Sequence, residues 1–144
     1  MKNVTRNPPS PVPQENNPVQ DYSPPLLKRL LVVDDNEDIH IMLGDRLEAM
    51  GYGVVRANNG AEALKILAMV PVAGVFLDLE MPVMDGLTFL RERQRQHIPV
   101  PIIVMSAGKD RDKFLEAIQL GAMDYLKKPI DMLLLTQKCV RLFE

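Results

Sequence analysis

The chain has 144 residues, 47% of them hydrophobic and 25% charged, which suits one ordinary globular domain and leaves no room for two. Seventeen Lys and Arg against nineteen Asp and Glu give a formal net charge of -2, too balanced for the basic field that nucleic acid binding demands. Its one cysteine, Cys139, excludes an internal disulfide and lacks a companion at metal-ligand spacing; no run approaches the roughly 18 apolar residues of a membrane span, and the N-terminus has no apolar signal region, so a cytoplasmic protein is expected.

Residues 1–27 hold seven of the twelve prolines, mixed with Asn, Gln and Ser and almost no large apolar side chain. Such a segment cannot bury a core, and it reads as a disordered Pro-rich leader to a domain spanning 28–144. From residue 28 short apolar runs alternate with longer amphipathic stretches. Leu30 to Val33 reads as a buried strand ending in Asp34-Asp35. Ile39, Met42, Leu43, Leu47 and Met50 then recur at helical spacing, with Gly51 as the stop. Val54 to Ala57 is a second strand, followed by a helix with Ala61, Leu64, Leu67 and Ala68 on its apolar face, ended by Pro71. Val75-Phe76-Leu77 runs into Asp78, and after the loop Glu80 to Gly86 a third helix begins with Leu87, Phe89 and Leu90, closed by Pro99 and Pro101. Ile102 to Met105 leads to Ser106; Asp110 caps a helix carrying Phe114, Leu115 and Ile118; and Gly121 ends it. Ala122 to Leu126 is a fifth strand leading to Lys127-Lys128-Pro129, and Asp131 caps a final helix.

Five strands alternating with five helices predict an α/β fold, a doubly wound five-stranded parallel sheet. Functional groups in such sheets gather beyond the carboxyl ends of the strands, where the order reverses. There the sequence puts Asp34 and Asp35 after the first strand, Asp78 at the third, Ser106 at the fourth and Lys128 past the fifth. Carboxylates about 4 Å apart repel by about 4 kcal/mol at an effective dielectric near 20, so this group calls for a cation. With oxygen ligands and no thiolate or imidazole in the set, the expected ion is Mg²⁺. Lys128 brings a compact positive charge and Ser106 a hydroxyl donor, which together suit a phosphoryl group on an aspartate. Asp78, ending the central strand before an accessible loop, is the expected nucleophile, with Asp34 and Asp35 holding the metal.

Four motifs in order, Leu31-Val32-Val33-Asp34-Asp35-Asn36, Leu77-Asp78-Leu79-Glu80-Met81-Pro82-Val83-Met84-Asp85-Gly86, Val104-Met105-Ser106-Ala107 and Gly121-Ala122-Met123-Asp124-Tyr125-Leu126-Lys127-Lys128-Pro129, resemble the receiver domain of two-component response regulators. The resemblance covers roughly residues 28 to 144 and implies the strand order 2-1-3-4-5. It implies a phosphoacceptor at Asp78, and Mg²⁺ bound by Asp35, Asp78, the Glu80 carbonyl and, through water, Asp34. Ser106 and Lys128 would contact the phosphate, and Tyr125 would change rotamer with Ser106. Strand alternation sends Lys127 and Lys128 to opposite faces, and the family's lysine directly precedes the proline, which selects Lys128. The Lys128-Pro129 bond is by the same resemblance a candidate cis peptide.

The implied function is a switch rather than an enzyme, with only slow autodephosphorylation: a sensor histidine kinase or histidine phosphotransfer protein donates to Asp78, and the surface of helix 4, strand 5 and helix 5 changes. The chain is expected to be the N-terminal receiver of a longer regulator, or else a stand-alone one. A haloacid-dehalogenase-type aspartyl-phosphate hydrolase is disfavoured, because its nucleophile belongs to an Asp-x-Asp motif on the first strand. A flavodoxin-like cofactor carrier is disfavoured as well, because the first strand is followed by the acidic pair Asp34-Asp35 and not by a Gly- or Ser/Thr-rich phosphate loop. His40 and His97 are expected at the surface, and Cys139 as a small packing residue. On the last helix Met132, Leu135, Cys139, Leu142 and Phe143 form one stripe, while Ile130, Leu133, Leu134 and Val140 extend the apolar surface beyond it. Part of this helix is therefore expected to contact a second copy or a downstream segment.

Overall fold

The computed structural model describes residues 27–144; the expected leader lies, apart from Leu27, outside the described residues. Five strands, β1 (Arg29–Val33), β2 (Gly53–Ala57), β3 (Gly74–Asp78), β4 (Ile102–Ser106) and β5 (Asp124–Lys127), alternate with α1 (Glu37–Ala49), α2 (Gly60–Met69), α3 (Gly86–Arg95), α4 (Arg111–Gln119) and α5 (Met132–Phe143). All neighbouring strands are parallel and their order is β2-β1-β3-β4-β5, as expected.

The two-residue period of the strands splits the core in two. Leu31, Val33, Val75, Leu77, Ile102 and Val104 face one way and pack with Ala63 of α2, Leu87, Phe89 and Leu90 of α3, and Ala117 of α4. Leu30, Val32, Phe76, Ile103, Met105 and Leu126 face the other way, against Leu43 and Leu47 of α1 and Leu135, Cys139 and Phe143 of α5. Strands buried on both faces must be apolar at every position, which is why β1, β3 and β4 read as unbroken runs. Each large aliphatic or aromatic side chain so buried contributes about 1.5–3 kcal/mol.

Helix boundaries follow local chemistry. Asn36, Asn59, Asp85, Asp110 and Asp131 cap the five helices, each accepting from backbone N–H groups of the first turn. Gly51 and Gly121 adopt φ of 96° and 104°, left-handed values open to glycine, and stop α1 and α4 as expected. The third helix ends earlier than the prolines suggested: Gln96 is its C-cap and His97 takes φ of 56°.

Several helical faces differ from expectation. On α1, His40 is buried at 2% exposure and Met42 is exposed, so His40 rather than Met42 joins Leu43 and Leu47 inward. On α2, Leu64 and Leu67 pack against the core as expected, but Ala63 is the fully buried contact and Ala68 is exposed. Of α4 only Ala117 is fully buried, Phe114 is half-buried, and Leu115 and Ile118 face outward. In both α2 and α4 the helix approaches the sheet through alanine, whose small side chain lets the axis come close, and the larger residues are left at the margins. Ile130 is buried beneath the start of α5 instead of extending its outer surface, whereas Leu133, Leu134 and Val140 are exposed as expected. Among the described residues no helix is long and apolar enough to cross a membrane.

Candidate functional site

The parallel strands carry the polar ends of β1, β3, β4 and β5 to one edge of the sheet. Asp34 follows β1 directly and is fully buried; its Oδ1 accepts from the Asn36 backbone N–H at 2.9 Å and its Oδ2 from Lys128 Nζ at 2.7 Å. The ring of His40 approaches the Asp34 carbonyl with Nε2 at 2.7 Å. A carbonyl oxygen only accepts, so Nε2 carries the proton, while Nδ1 is buried without a partner among the described residues.

Asp78 ends β3 with 3% of its surface exposed. Its Oδ1 accepts from the Glu80 backbone N–H at 3.1 Å, and Lys128 Nζ stands 3.4 Å from Oδ2. Burial, followed by the Asp34 charge, pushes its pKa from 3.8 up to about 6, against the opposing pull of the Glu80 N–H and of Lys128. Lys128 is held above its usual pKa: burial lowers it, but the hydrogen bond to Asp34 and the charges of Asp78 and Asp34 outweigh that. The Lys128-Pro129 bond is cis, and the Lys128 backbone N–H donates to the Ser106 carbonyl at 2.9 Å.

Asp35 is exposed beside these groups, and one carboxylate oxygen each from Asp34, Asp35 and Asp78 lies within 4.8 Å of the others. Three carboxylates converging so closely, two of them buried, with Lys128 as the nearest cation, make a donor set that fits a hard divalent ion. The Glu80 carbonyl belongs to the loop leaving Asp78, in which Val83 is exposed at φ of 71°.

Ser106 ends β4 at 5% exposure, and its hydroxyl donates to the Glu80 carboxylate, with Oε1 at 3.0 Å and Oε2 at 2.9 Å. The Gly108 backbone N–H donates to Ser106 Oγ at 3.0 Å. Tyr125 is half-buried on β5, its ring centroid 4.4 Å from that of Phe114 on α4. A cleft of about 430 Å³ bounded by Ser106, Lys109, Phe114, Leu115, Tyr125 and Lys127 adjoins this pair. Lys127 is exposed, in keeping with strand alternation.

The structure thus brings Asp34, Asp35, Asp78 and Lys128 together, with Ser106 at the end of the neighbouring strand and Tyr125 lining the same cleft as Ser106. Sequence reasoning missed two participants. His40, expected at the surface, is buried, and its spacing of three and seven to Leu43 and Leu47 is that of a core position. The Glu80 side chain, for which the resemblance implies a role only at the backbone carbonyl, takes the Ser106 hydroxyl.

The family profile described as "Response regulator receiver domain" matches residues 30–139. The regulatory protein AtoC of Escherichia coli (strain K12) is 35% identical over 106 residues, covering 74% of this chain and 23% of that protein. The DNA-binding transcriptional regulator NtrC of the same organism is 40% identical over 101 residues, 70% of this chain and 22% of that protein. The matched stretch is thus under a quarter of either relative's length. Among solved structures, the signal receiver domain of a putative Luxo repressor protein from Vibrio parahaemolyticus superposes with a TM-score of 0.77 at 26% identity, covering 82% of this chain and 91% of that one. A putative response regulator from Chloroflexus aurantiacus J-10-fl gives a TM-score of 0.74 at 32% identity, with 82% and 98% covered.

Proposed function

This chain belongs to the response regulator receiver domain family, and from that premise we propose that Asp78 accepts a phosphoryl group from a phosphohistidine of a sensor kinase or phosphotransfer protein. The observation that carries this reading is the convergence of Asp34, Asp35 and Asp78 within 4.8 Å beside the Lys128 ammonium, 3.4 Å from Asp78. With a pKa near 6, Asp78 is an ionised carboxylate at neutral pH. One of its oxygens attacks phosphorus, the phosphorus–nitrogen bond breaks, and the electron pair leaves with the donor imidazole, whose other nitrogen carries a proton so that it departs neutral. Lys128 balances charge on one phosphoryl oxygen and Ser106 donates to another. Asp35, Asp78 and the Glu80 carbonyl, with Asp34 through water, are the groups that would hold Mg²⁺, which when bound supplies positive charge to the transferring oxygens.

The product is a conformation. Ser106 and Tyr125 report the phosphoryl group to the surface of α4, β5 and α5, and the acyl phosphate then hydrolyses slowly, consistent with a switch in the cytoplasm rather than a turnover enzyme. The outward residues Leu133, Leu134 and Val140 of α5 would meet a second copy or a following effector segment. The domain boundary at residue 28 follows from the same reading.

Intact mass after incubation with Mg²⁺ and acetyl phosphate tests it. One added phosphoryl group is expected, dependent on Mg²⁺ and absent from Asp78→Asn. A protein that stays unmodified and releases no inorganic phosphate from acetyl phosphate would overturn the assignment.

A further inference from the structure

The hydroxyl of Ser106 has one proton, and in this structure it is aimed at the two carboxylate oxygens of Glu80, at 3.0 and 2.9 Å. The Gly108 N–H pins the Ser106 oxygen from the other side, so the direction of that proton is fixed. Lys113 of α4 places Nζ 3.7 Å from Glu80 Oε2, while its backbone N–H is bound by the α4 cap Asp110 at 3.2 Å. One carboxylate therefore ties together the loop after Asp78, the end of β4 and the first turns of α4.

We propose that Glu80 is an internal competitor of the phosphoryl group: its carboxylate holds the Ser106 hydroxyl and, through Lys113, the start of α4 in the resting arrangement, and releases both when Asp78 is phosphorylated. This rests on the reading of Asp78 as phosphoacceptor. Ser106 cannot donate to Glu80 and to a phosphoryl oxygen at once, so phosphorylation exchanges one anionic acceptor for another. The exchange has a direction. Ser106 is 5% exposed and cannot turn to water, whereas the Glu80 side chain is 41% exposed and can. A phosphoryl group two residues away also repels the carboxylate. When Glu80 leaves it withdraws the partner of Lys113 from α4, the helix in which Ala117 alone is fully buried and which can therefore be reseated at small cost. Glu80 is thus a positioning residue that sets how far the resting protein is held from the switched state.

A double-mutant cycle in the full chain tests this, with calorimetric titration of beryllofluoride in Mg²⁺ as a noncovalent phosphoryl stand-in. Glu80→Ala is expected to tighten binding about tenfold, the scale of one hydrogen bond to a charged group. In a Ser106→Ala background the gain should shrink at least to about threefold, because only simple charge repulsion is left to relieve. An equal gain in both backgrounds, or none in either, overturns the proposal. Amide NMR gives a second readout: without ligand, α4 signals of Glu80→Ala should move toward their beryllofluoride-bound positions, and changes confined to the immediate neighbours of residue 80 would sink the coupling to α4. A parent protein that neither binds beryllofluoride nor accepts phosphate from acetyl phosphate would instead remove the Asp78 reading, and this proposal with it.

Discussion

Asp78 is buried beside Asp34, and the two causes together lift its pKa from 3.8 to about 6. The folded state therefore binds this proton more tightly than the unfolded state does, and the contribution of Asp78 to stability, favourable at low pH, is lost as pH rises from 3.8 through about 6. In metal-free buffer Asp78→Asn, which cannot ionise, should resist urea better than the parent above pH 6, with the difference narrowing toward pH 4. A difference that does not vary with pH would show that burial of the charge is not its source. The same crowding is what a bound divalent ion would relieve. At this scale the acidic pair, Asp78, Ser106 and Lys128 were legible because each stands just beyond an apolar run. His40 was not, because an imidazole in a helix carries no sign of facing inward until its spacing to Leu43 and Leu47 is given weight over its polarity.

At the scale of elements, α5 shows how a helix is fixed at its far end. The Phe143 ring lies over the start of β3 so closely that a Cβ on Gly74 would stand 2.2 Å from it, and it meets Phe76 edge-on with centroids 5.7 Å apart. Lys28 Nζ donates to the Phe143 carbonyl at 2.8 Å and the Tyr52 hydroxyl to Glu144 Oε2 at 2.5 Å. Phe143→Ala should therefore cost about 3–5 kcal/mol, read by equilibrium unfolding; a cost below about 1 kcal/mol, the scale of a surface substitution, would mean the helix end is not anchored there. The contrast with α4 is instructive, since α5 buries Leu135, Cys139 and Phe143 and α4 only Ala117. Element order and caps such as Asp110 and Asp131 could be read from the sequence, since periodicity and capping are local. Which residue of α2 or α4 lies deepest could not, although Leu64, Leu67 and Phe114 do pack inward as expected: Ala63 and Ala117 are chosen by the distance between helix and sheet, a tertiary quantity absent from hydropathy.

For the whole molecule, topology concentrates charge at one edge of an apolar sheet, and the energetic consequence is linkage. A ligand bound only by the folded state stabilises it by about 2.7 kcal/mol at a hundredfold excess over its Kd. Mg²⁺ should therefore raise the melting temperature of the parent in a saturable way and that of Asp35→Asn much less; equal shifts in the two proteins would place the ion elsewhere. The strand order was legible because five apolar runs of similar length separated by helices admit few right-handed windings, and a resemblance carried by four motifs then fixed which one.

The Lys28 contact with Phe143 has one more implication. It joins the residue before the first strand to the last residue of the final helix by one hydrogen bond, at the end of the sheet opposite the acidic cluster. The folded body is thus almost a closed ring, in which the order of the elements along the chain matters less than their neighbours in space. A circular permutant with these ends joined by a short Gly/Ser linker and new ends opened in the exposed stretch around Lys109 would keep every strand pairing, so the architecture belongs to the ring and not to its point of opening.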